Sequence, residues 1–163
     1  MLAMTTSSPI DFDAAWAQII REFRGDPDSI HGPPHWRRVE QNGLKIAASN
    51  GASVDVVRLF AALHDSCRQD DSFELHHGEL AAQYALVLRG KLFDLDDDSF
   101  ELLQHACKWH THGKVSTDPT IGACWDADRL DLTRVGIEPS HRFMSTELGK
   151  RLCSSRPKLC SDG

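Results

Sequence analysis

The stretch FAALHDSCRQ, from Phe60 to Gln69, begins as an apolar helical segment and then places His64 directly beside Asp65. An imidazole and a carboxylate are costly to bury without partners. The doublet therefore either belongs to a binding site or marks the point where the chain leaves the core and caps a helix end. A single His or Asp is more often an ordinary core or surface residue, so the choice depends on which other residues can join the pair.

The size and composition of the chain limit its function class. It has 163 residues, 40% of them hydrophobic, which is enough for the core of one domain. A net charge of -6, without a Lys/Arg block, disfavours binding to a nucleic-acid backbone. No run of about 18 apolar residues predicts a membrane span, and the N-terminus does not resemble a secretory signal. We expect a cytoplasmic protein with a small-molecule substrate, and an oligomer is possible.

Hydrophobic residues recur with helical periodicity along almost the whole chain, and no segment alternates long enough to predict a strand. The pattern predicts an all-α, single-domain bundle of about six to seven helices. A helical domain is expected over residues 11–152, between a disordered N-terminus (1–10) and a flexible tail (153–163). The redox state of Cys153 and Cys160 in that tail stays open. The sequence predicts helix starts at Asp11, Pro33, Ser53, Gly78, Asp118 and Ser145, and a fifth helix within the segment DLDDDSFELLQHACKWH, which begins at Asp94.

Histidine and aspartate residues occur on several of these helices. A helical bundle can hold a metal ion through side chains from facing helices. Imidazole and carboxylate ligands suit Mn, Fe, Co, Ni, Mg or Zn. The candidate donors, in chain order, are His35, His64, Asp65, His76, His77, His110, His112, Asp126 and Asp128.

Three short motifs follow one another on successive predicted helices: HWRRV from His35, LHDSCR around His64-Asp65, and DADRLD from Asp126. Together they resemble the HD-domain superfamily of metal-dependent phosphohydrolases, over about residues 28–137. The resemblance implies an all-helical fold, one or two divalent metal ions, and hydrolysis of a phosphate ester by metal-activated water. It also implies that no covalent nucleophile takes part.

The resemblance implies a role for four residues. His35, His64, Asp65 and Asp128 match the ligands of the primary metal, and His64 and Asp65 match the catalytic doublet. Helix geometry agrees with the choice of Asp128, because Asp126 points roughly 200° away from it and is expected beside the site or in solvent.

A second group of residues extends the candidate site. The segment HHGELAA resembles the family segment that places His77 in the pocket and leaves His76 exposed. His110 continues an inward-facing helical stripe, and His112 follows in a loop, where it either joins the site or lies on the surface. The resemblance implies that His77, His110 and His112 bind either a second metal ion or a substrate phosphate, and the choice between one and two ions stays open.

Basic residues supply candidates for substrate binding. A guanidinium fork matches phosphoryl oxygens, so Arg68, Arg38 and Lys114 are the candidates, although surface residues of these types usually only meet solvent. Asp131 lies on the same helix side as Asp128, and a role at the site and an ion pair with Arg129 or Arg134 are equally expected. His31 is expected at the pocket rim, and His105 has a structural role.

These patterns predict a metal-dependent phosphohydrolase, a phosphomonoesterase or phosphodiesterase, that acts on a small phosphate ester or nucleotide. Three alternatives remain. An HD-fold di-iron oxygenase would use six ligands in the order His35, His64, Asp65, His77, His110, Asp128. A non-catalytic metal- or ligand-binding module would bind without turnover. A bundle with incidental histidines would carry no stoichiometric metal.

Overall fold

The helix that precedes the His64-Asp65 doublet, Val54–Leu63, forms the centre of the core. Ser53 caps its start by accepting a hydrogen bond from the backbone N–H of Val56. Seven of its ten residues are buried, so the helix is covered on nearly all sides. The doublet therefore lies at the end of an element whose position is fixed by packing.

The computed structural model describes residues 9–155. This part of the chain contains seven α-helices, two short 3-10 helices and no strand, which confirms the predicted all-α fold. The α-helices are α1 (Phe12–Glu22), α2 (Pro33–Asn50), α3 (Val54–Leu63), α4 (His77–Leu88), α5 (Asp97–Trp109), α6 (Pro119–Arg129) and α7 (Glu147–Ser154).

The packing of the helices brings the candidate residues to one place. Helix α2 packs along both α3 and α6, and α4 packs along α5. Helix α3 contacts both of these groups. Consequently α2, the end of α3, the start of α4, the end of α5 and α6 all meet in the interior. Helix α7 packs against α2 and α6.

Most predicted helix starts match the observed ones, but α6 ends earlier than expected. The hydrophobic pattern predicts a helix through Leu132, whereas α6 ends at Arg129. The Asp131 N–H bonds to the carbonyl of Asp128, three residues back, which is 3-10 geometry. The chain then forms the 3-10 helix Leu132–Val135. This tighter winding changes the direction of the Asp131 side chain.

The last helix reaches further toward the C-terminus than the sequence predicts. Helix α7 extends to Ser154, so Cys153 lies in a helix although we expected it in the tail. Residues 1–8 and 156–163, including Cys160, lie outside the described part, so their predicted disorder and flexibility remain predictions. Among residues 9–155 no helix has the length and apolar character needed to cross a membrane.

Candidate metal centre

His64 and Asp65 occupy the turn that follows α3. The His64 backbone is still helical, with its N–H bonded to the carbonyl of Phe60. The His64 Nδ1 lies 3.2 Å from the carbonyl oxygen of Phe60 and 3.1 Å from that of Ala61. Both residues of the doublet are buried. The end of the helix therefore holds the imidazole in place and directs Nε2 away from α3.

The first group of donors consists of His35 from α2, His64, and Asp128 from α6. The Nε2 atoms of His35 and His64 are 3.1 Å apart. Asp128 Oδ1 lies 3.2 Å from the His35 Nε2 and 3.6 Å from the His64 Nε2. One oxygen of Asp65, Oδ2, is 3.6 Å from each of these two Nε2 atoms. The four residues that match the family's primary ligands thus converge.

The second group of donors is built on the other oxygen of Asp65. Its Oδ1 lies 3.4 Å from the Nε2 of His77 and 3.5 Å from the Nε2 of His110. The two Nε2 atoms are 3.1 Å apart. His77 begins α4 and His110 follows α5, and all three residues are buried. Asp65 therefore presents one oxygen to each group.

Gly78 allows α4 and α5 to approach closely enough for this second group. A Cβ atom at Gly78 would lie 2.6 Å from the carbonyl oxygen of Cys107 and 3.3 Å from Nδ1 of His110. Any larger side chain would push the two helix ends apart. The glycine of the HHGELAA segment thus permits the contact between His77 and His110.

The hydrogen bonds of the four imidazoles leave their Nε2 lone pairs facing one another. Carbonyl and carboxylate oxygens only accept hydrogen bonds, so each Nδ1 that contacts one carries the proton. In a neutral imidazole the other nitrogen, Nε2, is then an unprotonated acceptor. The acceptors at Nδ1 are Asp131 for His35, Phe60 and Ala61 for His64, Glu74 for His77, and Cys107 for His110.

Opposed lone pairs and carboxylate oxygens repel each other unless a cation lies between them. Bonds of about 2.1 Å at tetrahedral or octahedral angles place ligand atoms about 3.0–3.4 Å apart. The donor atoms of both groups are separated by 3.1–3.6 Å. In each group all the donor atoms lie within 4.8 Å of one another. The residues therefore fit two divalent cations that share Asp65.

Burial disfavours the charged form of His35, but the Asp128 and Asp131 carboxylates raise its pKa, so a cation that binds at His35 competes with a proton. Burial disfavours the charged form of Asp65, but His64, His110 and His31 hold the pKa of this carboxyl well below its usual value. In the same way the imidazoles of His35 and His64 outweigh burial and lower the pKa of Asp128. Burial, together with His110, lowers the pKa of His77 to about 4. The carboxylates are thus charged and His77 is neutral at pH 7.

Asp131 contacts the first donor group through His35, on the side of the imidazole opposite Nε2. Its Oδ2 accepts a hydrogen bond of 2.7 Å from Nδ1 of His35. The Arg38 Nε donates to both Asp131 oxygens, at 2.8 and 3.0 Å. The side chain of Arg38 remains 45% exposed. We expected Arg129 or Arg134 as the partner of Asp131. Its carboxylate instead contacts His35 and Arg38 of α2. Arg134 Nη1 donates only to the backbone carbonyl of Asp131.

Two further residues contact the shared carboxylate. The Arg68 Nε donates to Asp65 Oδ1 at 3.0 Å, and the His31 Nδ1 lies 3.1 Å from Asp65 Oδ2. The carbonyl of His31 is fixed by the indole N–H of Trp36. His31 therefore reaches further inward than the rim position that we expected. Each Asp65 oxygen has its own nitrogen partner.

The structure does not bring two of the sequence candidates into the cluster. His112 and Lys114 are exposed in the loop after α5, and neither donor group includes His112. The carbonyl of Lys114 instead accepts a hydrogen bond from Arg129. Two loop residues beyond His110 are enough to carry His112 to the surface. The predicted phosphate or second-metal role of these two residues has no geometric support.

Asp126 is buried, but away from both donor groups. Its carboxylate accepts hydrogen bonds from the backbone N–H groups of Ser145 and Thr146, at 2.7 and 2.8 Å, and from the Thr146 hydroxyl at 2.7 Å. We expected Asp126 beside the site or in solvent, and neither position is observed. Instead it anchors the start of α7. His76 and His105 are exposed, and His105 stacks on Trp125.

Replacing Asp126 by alanine is expected to lower the free energy of unfolding by about 3 kcal/mol, because three donors, two of them buried, lose their acceptor. For a domain of this size that corresponds to a fall of roughly 6–12 °C in Tm. Thermal unfolding followed by circular dichroism measures the change. Metal content should stay at the wild-type value. A loss of metal without a loss of stability would contradict this structural role.

An all-α bundle that gathers His, His-Asp and Asp donors from successive helices is an HD-domain-like protein. Neither a protein-family model nor a curated protein sequence matches the chain. Its structure is similar to the crystal structure of a predicted HD superfamily hydrolase from an uncultured Thermotogales bacterium. The two are 26% identical with a TM-score of 0.68, over 87% of this chain and 83% of that chain. The predicted relationship to the HD-domain superfamily is confirmed.

Proposed function

We propose that the protein is a metal-dependent phosphohydrolase that hydrolyses a small phosphate ester or nucleotide. One observation carries the proposal: Asp65 presents its two oxygens to two separate groups of Nε2 and carboxylate donors. When bound, two divalent cations would activate water and neutralise charge on a phosphoryl group. The similar structure is that of a predicted hydrolase, which agrees with this reaction class.

The protein groups around the site have distinct tasks in this proposal. Asp65 is a poor proton acceptor because the imidazoles around it keep its pKa low. It orients the cluster instead, with His31 and Arg68 holding its two oxygens. His35 and His64 keep their protons on Nδ1, so their Nε2 atoms remain available. Binding and orientation are thus the main contributions of this chain.

Arg68 is the residue best placed to bind a phosphoryl oxygen. Its Nε contacts Asp65 Oδ1 at 3.0 Å, and its Nη1 donates to the carbonyl of Ser72. The fork geometry of the guanidinium suits phosphate oxygens. Arg38 contacts Asp131 rather than the donor groups and therefore acts at a distance from the substrate.

A phosphatase panel tests the proposal. The purified chain is stripped of metal, reloaded separately with Mn, Co, Ni, Mg, Fe or Zn, and assayed with phosphomonoesters and phosphodiesters. We expect release of phosphate or alcohol with at least one metal and none after chelation. Tight binding of an ester without turnover would contradict the proposal and support a non-catalytic binding module.

A second candidate function is favoured by the same cluster. Six donors, His35, His64, Asp65, His77, His110 and Asp128, converge in the order expected for an HD-fold di-iron oxygenase. Iron-loaded protein assayed with and without oxygen separates the two functions. Hydrolysis proceeds equally under argon, whereas an oxygenase stops. We favour hydrolysis because the similar structure is a predicted hydrolase.

A further inference from the structure

A cavity of about 700 Å³ lies beside the donor cluster, between the end of α1 and the outer face of α4. This volume is within the range of ligand-binding pockets, about 300–1,000 Å³. The proposed function uses only the cluster and Arg68, so the rest of this cavity has no role yet. Its lining shows which kind of molecule it could hold.

The cavity wall contacts the donor cluster through Arg68. The residues that follow Asp65, from Ser66 to Gln69, form part of its wall. Arg68 lines the cavity while its Nε lies 3.0 Å from Asp65 Oδ1. None of the six donors lines the cavity. Arg68 therefore links the cavity wall to the carboxylate that both donor groups share.

The apolar part of the wall suits a ring-containing group. Phe23 from the end of α1 and Tyr84 from α4 contribute aromatic rings, and Leu80 and Val87 extend the apolar surface along α4. The side chains of Leu80 and Val87 are 40% and 56% exposed, so a ligand would remove apolar area from water. A short, fully polar alcohol would gain little from this wall.

The polar part of the wall is cationic, although the whole chain carries a net charge of -6. Arg21, Arg24 and Arg68 line the cavity, and among residues 9–155 Glu22 is the only acidic residue that does so. The Glu22 carboxylate already accepts a hydrogen bond from the Tyr84 hydroxyl. Arg68 is already paired with Asp65. Arg21 and Arg24 are therefore the cationic groups that face this one engaged carboxylate, and this balance favours an anionic ligand.

Two amide side chains complete the wall. Gln69 and Gln83 are exposed and line the cavity. An amide offers both donors and an acceptor, which is the combination that hydrogen-bonds the edge of a heterocycle. Apolar faces, cationic groups and amides around one cavity describe a site for a molecule with both a ring system and a phosphate.

We propose that this cavity binds the organic part of the substrate, and that the substrate is a phosphate ester of a ring-containing alcohol of about nucleoside size. The proposal rests on the proposed function. In it, Arg68 lies between the phosphoryl group and the ring of the bound substrate. Phe23, Tyr84, Leu80 and Val87 determine the preference for the ring.

The test compares ring-bearing esters with a short one. The probes are the nucleoside 5′-monophosphates on one side and glycerol 3-phosphate on the other. Metal-loaded wild-type protein should hydrolyse the best ring-bearing ester with a kcat/KM about tenfold or more above that for glycerol 3-phosphate. A preference for glycerol 3-phosphate would overturn the proposal and leave hydrolysis intact.

A cavity-filling substitution tests the location. Val87→Trp adds volume at an exposed cavity position, and Leu86→Trp is its matched control, because Leu86 is 58% exposed on the same helix and does not line the cavity. Val87→Trp should lower kcat/KM for the best ring-bearing ester about tenfold and leave glycerol 3-phosphate within twofold. Leu86→Trp should change neither. Gln83→Trp is a second filling variant if Val87→Trp unfolds.

The same variants remain informative if no ester is hydrolysed. In that case the proposed function fails, and equilibrium binding of the nucleoside 5′-monophosphates to metal-loaded protein tests the cavity alone. Binding that Val87→Trp weakens about tenfold and Leu86→Trp leaves unchanged would support the site. Equal effects of both substitutions, or no binding to the wild-type protein, would overturn it.

Discussion

Replacing Asp65 by alanine is expected to reduce phosphate-ester hydrolysis by about 10³-fold or more, because the substitution removes a ligand from both donor groups at once. The Asp65 Oδ2 lies 3.6 Å from Nε2 of His64, and its Oδ1 lies 3.4 Å from Nε2 of His77. No other residue of the cluster takes part in both groups. The loss of this carboxylate should therefore exceed that of any single imidazole.

Metal content should fall together with activity. Without Asp65 the second group retains only His77 and His110, which are too few ligands to hold a divalent cation tightly. We expect at most one ion per chain in Asp65→Ala, measured on the same batches as the kinetics. Asp71→Ala is the control, because it removes the same charge from an exposed position six residues along. Two retained ions with more than a tenth of the activity would contradict the shared role of Asp65.

The second large effect is expected at Asp131, although this residue contacts no ion in our proposal. Asp131→Asn should weaken metal binding about 10–100-fold. The Asp131 Oδ2 accepts the Nδ1 proton of His35 at 2.7 Å and so leaves the His35 Nε2 free to bind. An asparagine keeps the size of the side chain but removes the negative charge that makes the imidazole a stronger donor.

Competition with a chromophoric chelator measures the affinity directly and does not depend on activity. Asp13→Asn, an exposed substitution in the first turn of α1, is the control and should bind metal like the wild-type protein. Arg38→Gln should show a smaller loss, since Arg38 contacts the carboxylate of Asp131 and not His35. An affinity within twofold of the wild-type value in Asp131→Asn would show that this residue is only structural.

Local chemistry explains why the helix starts could be predicted. Pro33, Ser53 and Asp118 each precede or begin a helix at the expected place, because capping and the fixed φ of proline act within a few residues. The end of α6 could not be predicted, since Leu130 and Leu132 continue the hydrophobic pattern. The helix ends because backbone hydrogen bonding changes from i−4 to i−3 after Asp128.

The candidate site was predictable in part for the same reason. His35, His64, Asp65 and Asp128 lie in motifs, and His110 lies on the inward stripe of α5, so short-range patterns were sufficient. His112 was ambiguous because a loop has no periodicity that fixes the direction of a side chain. The partner of Asp131 could not be predicted, since Arg38 is 93 residues away and pairs with it only through the packing of α2 against α6.

The cavity beside the cluster depends still more on tertiary structure. Its walls come from α1, the turn after Asp65 and α4. In the sequence, Phe23 and Tyr84 look like ordinary core positions of two amphipathic helices. Only the packing of α1 and α4 around the turn at Arg68 leaves space between them. One arrangement of helices therefore produces both the contacts of the His64-Asp65 doublet and, separately, the cavity.

Quantitative metal analysis of the purified protein tests the central claim most directly. The wild-type chain should bind two divalent ions, His77→Ala should bind one, and His76→Ala should still bind two, because His76 is exposed beside the buried His77. A wild-type chain without a stoichiometric ion, or a His77→Ala variant that retains both ions, would contradict two cations held by His35, His64, Asp65, His77, His110 and Asp128.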